Sequence, residues 1–177
     1  MFFSFTIMNF EQETIAAIST PRGAGGIAVI RISGKDAIGI AQKVFTGKVP
    51  LQKAETHKAY LGKIIEVGSD SKHIQIDEVV LVLFKAPNSY TKEDVIEINC
   101  HGGHYLTHRI LELVLKQGAR LAQPGEFTQR AFLNGRLDLS QAEAVVDIIN
   151  AKTEASLKCA MLQFQGVLSR QIKEIKN

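Results

Sequence analysis

At Pro124 the hydrophobic pattern of this chain changes its period. Before it, apolar residues fall in short runs of strand length, separated by glycine, proline or polar clusters. After it, they recur only at helical spacing. A two-residue period builds a sheet with one buried face, and a 3.6-residue period builds a helix with one buried stripe. The chain therefore reads as an α+β domain to about Gln123, followed by helices.

Within the first part, residues 14–20 (TIAAIST) form a short apolar run rich in β-branched side chains, and residues 21–26 (PRGAGG) a loop. Residues 27–33 (IAVIRIS) alternate as a strand, with Ile27, Val29 and the stem of Arg31 on one face and Ala28, Ile30 and Ile32 on the other. Ser33 is an N-cap candidate for a helix over 35–45, whose apolar face is Ala37, Ile40, Ala41 and Val44. Strands are expected over 60–67 and 76–84, joined at a polar tip, 68–72. The run 79–84 is nearly all apolar and predicts a strand covered on both faces. A strand over 95–99, a helix through Lys116 closed by Gly118, and a short strand over 119–122 complete this part. Beyond Pro124, residues 127–133 predict one helix. The box Ser140-Gln141-Ala142-Glu143 opens another, whose stripe runs on through Leu157, Met161, Phe164, Leu168, Ile172 and Ile175. Such a stripe needs a covering surface: either the α+β domain or a second copy, or, as the favoured expectation, helices beyond these residues.

Several function classes find no support. The net charge of +3 is slight, and nucleic-acid binding by charge alone needs clustered Lys and Arg. Two cysteines, Cys100 and Cys159, make no CxxC pair, so a reducing cytoplasm is the expected setting. No run of about 18 apolar residues predicts a membrane span. Residues 1–13 read as an N-terminal extension, with Met8 an alternative start. The loop Arg22-Gly23-Ala24-Gly25-Gly26 opens a strand rather than a helix, unlike a dinucleotide fingerprint, and no Gly-Lys pair is followed by Ser or Thr, as a P-loop requires. His101, His104 and His108 lie near Cys100 at helical spacings without a carboxylate in a ligand pattern, so no metal site is expected and capping or solvated roles are favoured.

Two charges inside apolar strands carry more information. Arg31 and Glu97 must each find a partner, because an unpaired buried charge is costly. Either they pair with each other or point outward from edge strands, or they grip the two ends of a polar ring-shaped ligand. A carboxylate accepts two parallel hydrogen bonds from an amidine-like edge, such as that of a pterin, and an arginine suits a carboxylate or carbonyl.

Four segments are similar to the bacterial tRNA modification GTPase family (MnmE, also called TrmE): TIAAISTPRGAGGIAVIRISG (14–34), PNSYTKEDVIEINCHGG (87–103), PGEFTQRAFLNGRLDLSQAEAVVDII (124–149) and, more weakly, LQFQGVLSRQI (162–172). The resemblance implies a mixed-sheet domain over 14–123, of the folate-binding aminomethyltransferase type, and the first helices of an all-α domain over 124–177. It implies a tetrahydrofolate ligand, as the 5-formyl or 5,10-methylene derivative, near a homodimer interface. The binding positions fall on Arg31, Glu97 and Arg136, which are expected to line one cavity and to hold rather than transform the ligand; no catalytic residue is expected. It further implies an FAD-dependent partner (MnmG, or GidA) and modification of C5 of the wobble uridine of tRNA. GTP, Mg²⁺ and K⁺ belong to the family's G domain, which these residues are expected to stop short of, so no GTP hydrolysis is expected from them. His104 stands where relatives often carry proline. The alternative is a dimerisation and docking scaffold without folate.

Overall fold

The computed structural model describes residues 13–21, 23–68 and 72–166. All of the expected N-terminal extension but Glu13, the centre of the 68–72 tip, and Leu168, Ile172 and Ile175 lie outside the described residues. The chain divides into two compact units, Met1–Ser89 with Glu93–Gln123, and Tyr90–Lys92 with Pro124–Asn177.

The first unit is built on a seven-stranded sheet: β1 (Ile15–Ile18), β2 (Gly25–Ser33), β3 (Phe45–Gly47), β4 (Lys58–Val67), β5 (His73–Phe84), β6 (Val95–Gly102) and β7 (Arg120–Leu121). The order is β3-β4-β5-β6-β2-β1-β7. The β1–β7 pair is parallel and the others antiparallel, which makes the sheet mixed. Helices α1 (Ala37–Val44) and α2 (His104–Lys116) bury Ile40, Val44, Ile110 and Val114 in one cluster with Ala28, Ile30, Ile32, Leu81, Leu83, Ile96 and Ile98. Each fully buried isoleucine or leucine there contributes about 1.5–3 kcal/mol relative to exposure. The alternation in β2 thus sends Ala28, Ile30 and Ile32 into the core, and leaves Val29 and Arg31 on the other face.

Two expectations about the first unit are corrected here. The 79–84 run is not doubly covered: Val79, Leu81 and Leu83 are buried, but Val80 is 39% exposed. A uniformly apolar run hides its own alternation, so composition alone misassigned one face. Ser33 does not cap α1. It ends β2 and its hydroxyl donates to Glu93 Oε2 at 2.6 Å. The helix starts at Ala37, and Thr14 Oγ1 accepts the Asp36 N–H at 3.0 Å, so the capping oxygen comes from the chain just before β1.

The second unit contains α3 (Glu126–Leu133), α4 (Leu139–Asn150) and α5 (Glu154–Phe164). The capping box of α4 is formed by Asp138 and Gln141, two residues earlier than read from sequence. Asp138 wins because its carboxylate accepts the Gln141 N–H at 2.8 Å while the Gln141 side chain accepts the Asp138 N–H at 2.9 Å. The helical stripe is also interrupted. Thr153 and Ser156 form a second capping box that starts α5. Gln163 donates to the Ser140 carbonyl and Gln141 to that of Phe164, so α4 and α5 run side by side and antiparallel. Among the described residues no helix is long and apolar enough to cross a membrane.

Candidate functional site

Pairing β2 against β6 sets Arg31 directly opposite Glu97. Both side chains sit on the sheet face away from α1 and α2, about three-quarters buried. Arg31 Nε donates to Glu97 Oε1 at 2.9 Å, and Nη2 lies 2.7 Å from the same oxygen. One carboxylate oxygen takes both nitrogens, and Glu97 Oε2 has no hydrogen-bond partner among the described residues. A ligand that displaces this pair must bring N–H donors to the carboxylate and an acceptor to the guanidinium, because charges this buried are costly to leave unpaired.

The sheet rows around this pair are ordered. Leu61, Val80, Asn99 and Val29 stand side by side across β4, β5, β6 and β2; the next row is Ala59, Val82, Glu97 and Arg31. Next to them a groove of about 450 Å³ is lined by Gly26, Ile27, Glu78, Val80, Val82, Asn99 and His101. Asn99 donates its amide to the Val80 carbonyl at 3.0 Å, which leaves its side-chain oxygen as an acceptor.

His101 was read from sequence beside His104 and His108, but the three part company. His101 Nδ1 donates to Asp77 Oδ1 at 2.7 Å. The buried Asp77 carboxylate also accepts the N–H of Glu78 at 2.8 Å and of His101 itself at 3.0 Å. His104 and His108 stack with ring centroids 4.3 Å apart, and His108 Nδ1 donates to the His104 carbonyl. Both line a separate cavity of about 500 Å³ with Pro21, Gly23 and Gly102 of the glycine-rich segments. Asp77 escaped the sequence reading because nothing local marks it; only the pairing of β6 beside β5 reveals its role.

Arg136 lies in the second unit, exposed, with its guanidinium carbon 4.8 Å from the centre of the Tyr90 ring. Tyr90 in turn shares a hydrogen bond with Thr128 at 2.9 Å, and Lys92 donates to the Gly135 carbonyl. The loop residues 90–92 are thereby bound into the helical unit, next to the expected binding position.

Residues 14–136 match the family model described as "GTP-binding protein TrmE N-terminus", and residues 139–177 match "MnmE helical domain". The chain belongs to the MnmE (TrmE) family. It is 52% identical over 168 residues to the tRNA modification GTPase MnmE of Acetivibrio thermocellus, covering 95% of this chain and 36% of that protein. Identity to the protein of the same description from Lactiplantibacillus plantarum is 52% over 166 residues, 94% of this chain and 35% of that protein. To that from Bacillus subtilis it is 50% over 168 residues, 94% and 36% respectively. The chain thus spans about a third of the length of the curated MnmE relatives it matches. The N-terminal family model takes in the sheet unit and also α3, and the helical one takes in α4 and α5.

Proposed function

We propose that this chain is the tetrahydrofolate-binding and dimerisation module of a GTPase that modifies C5 of the wobble uridine (U34) of tRNA together with an FAD-dependent partner of the MnmG type, in the cytoplasm. The observation that carries the reading is the Arg31–Glu97 pair on the open sheet face, where an accessible acceptor oxygen and a guanidinium stand together above apolar neighbours. Glu97 takes the amino-pyrimidine edge of the pterin, because only a carboxylate offers two acceptors to two adjacent donors. Arg31 and Arg136 take carbonyl or carboxylate groups of a 5-formyl- or 5,10-methylene-tetrahydrofolate.

Calorimetry with 5-formyltetrahydrofolate tests this. Glu97→Gln presents a donor to a donor, and affinity is expected to fall about tenfold to a hundredfold. Unchanged affinity with an intact fold removes Glu97 from the site. One observation favours a second reading, a docking scaffold without folate: Arg31 and Glu97 already pair with each other. Absence of folate binding by the wild type at high micromolar ligand selects that reading.

A further inference from the structure

The open face holds one more arrangement that the folate reading leaves unused. Glu97, Asn99 and His101 alternate along β6, so all three belong to the same face. The β5–β6 ladder reaches Val80 opposite Asn99, and beyond it Asp77 accepts the His101 N–H in place of a strand carbonyl. The same carboxylate takes His101 Nδ1–H at 2.7 Å, while the His101 side chain is 71% exposed. With Nδ1 committed as a donor, a neutral imidazole has its lone pair on Nε2. That atom has no hydrogen-bond partner among the described residues. The groove His101 borders has an apolar side made by Ile27, Val80 and Val82, and polar residues Glu78 and Asn99. A flat ring fits such a wall if it carries N–H groups at its rim.

We propose that His101, oriented by Asp77, is a hydrogen-bond-accepting contact for a heteroaromatic ligand that lies over Ile27, Val80 and Val82. The ligand class rests on the folate reading. Glu97 and His101 are four residues apart, about 13 Å along the strand. A 5-formyltetrahydrofolate gripped by its amino-pyrimidine edge at Glu97 reaches that far with its arylamine N–H, the donor that His101 Nε2 accepts and that the bridged 5,10-methylene form lacks. Asp77 is a positioning residue: it fixes the tautomer and does not touch the ligand.

The contact needs neutral imidazole, since an imidazolium turns Nε2–H toward the ligand N–H. Affinity is therefore full at high pH and falls as histidine protonates. The titratable groups around His101 are Asp77 and Glu78 on β5, Cys100 on β6, and Lys63 opposite Glu78 on β4; β2 presents Gly26 and Ile27.

The test is calorimetry of the 177-residue chain with 5-formyltetrahydrofolate from pH 8.5 to 5.5, beside imidazole ¹⁵N resonances of the ligand-free protein. The expected results are an Nδ1–H tautomer for His101, a roughly tenfold loss of affinity toward pH 5.5, and a flat profile in His101→Gln, whose amide oxygen remains an acceptor. An Nε2–H tautomer, or a His101→Gln profile with the wild-type slope, overturns the proposal. If the wild type binds with a flat profile while Glu97→Gln weakens binding, the folate reading stands and this inference alone falls. If the wild type binds no folate at any pH, both fall.

Discussion

Cys100 and Cys159 are the same residue in opposite surroundings. Cys100 is buried on the core side of β6, with its thiol 3.5 Å from the Ala28 carbonyl. Burial, and then the nearby Asp77 carboxylate, push that thiol up to about 11. Cys159 is exposed on α5. A thiol reagent at pH 8 is therefore expected to label one cysteine per native chain and the second only after denaturation. The Cys159→Ser protein is expected to stay unlabelled until unfolded, and rapid native labelling of it would remove the burial argument. The pH dependence has a definite sign. The folded thiol holds its proton above the ordinary value of 9.0, so it contributes stability below that pH. This contribution is lost as the pH rises toward about 11. Urea titrations across that interval should show stability falling, and Cys100→Ala should flatten the fall.

At the scale of elements, the approach to α1 shows how closely the chain is fitted. Gly34 has φ of +137°, and a Cβ there would come within 2.7 Å of Thr14 Cα and Oγ1. Since Thr14 is the residue whose oxygen caps α1, Gly34→Ala strains the backbone and disturbs the cap together. It is expected to cost about 1–3 kcal/mol in chemical denaturation. Thr14→Val keeps the shape and loses only the capping oxygen, so about 1 kcal/mol is expected. Equal stability of either variant to wild type would refute this account. The same region marks what sequence can carry. The alternation in IAVIRIS was legible because one face is buried, and the helix over Ala37–Val44 because its stripe is continuous. The cap was not, because Thr14 lies 22 residues away from the Asp36 N–H it accepts. Arg31 and Glu97 were recognisable as charges inside apolar strands, yet their facing register depends on a pairing across 66 residues. The break before α5 did leave a local sign, Thr153 with Ser156, which a continuous apolar stripe concealed.

At the scale of the whole molecule, the exposed apolar side chains bear on self-association. On the first unit, Ile27 is 69% exposed, Leu61 64% and Val80 39%, all on the sheet face that carries Arg31 and Glu97. On the second, Val146, Ile149, Leu157 and Met161 are also exposed. Scattered apolar residues are ordinary on a surface, but neighbours in one row of a sheet form a patch that favours a partner. Leu61 and Val80 are such neighbours, opposite each other across β4 and β5. A two-fold contact that brings this face against its own copy covers the patch in both chains. It also places the Arg31–Glu97 pairs at or beside the junction. Sedimentation at tens of micromolar is accordingly expected to give a dimer. Leu61→Asp sets a carboxylate in the middle of the contact without lining the groove at His101, and is expected to shift the protein to monomer with an unchanged circular dichroism spectrum. Ile149→Glu, on the helical unit, is expected to leave the dimer intact. A wild-type monomer would dismiss self-association through either unit. A dimer that resists Leu61→Asp but dissociates in Ile149→Glu would move the contact to the helices and leave the sheet face uncovered by a second copy.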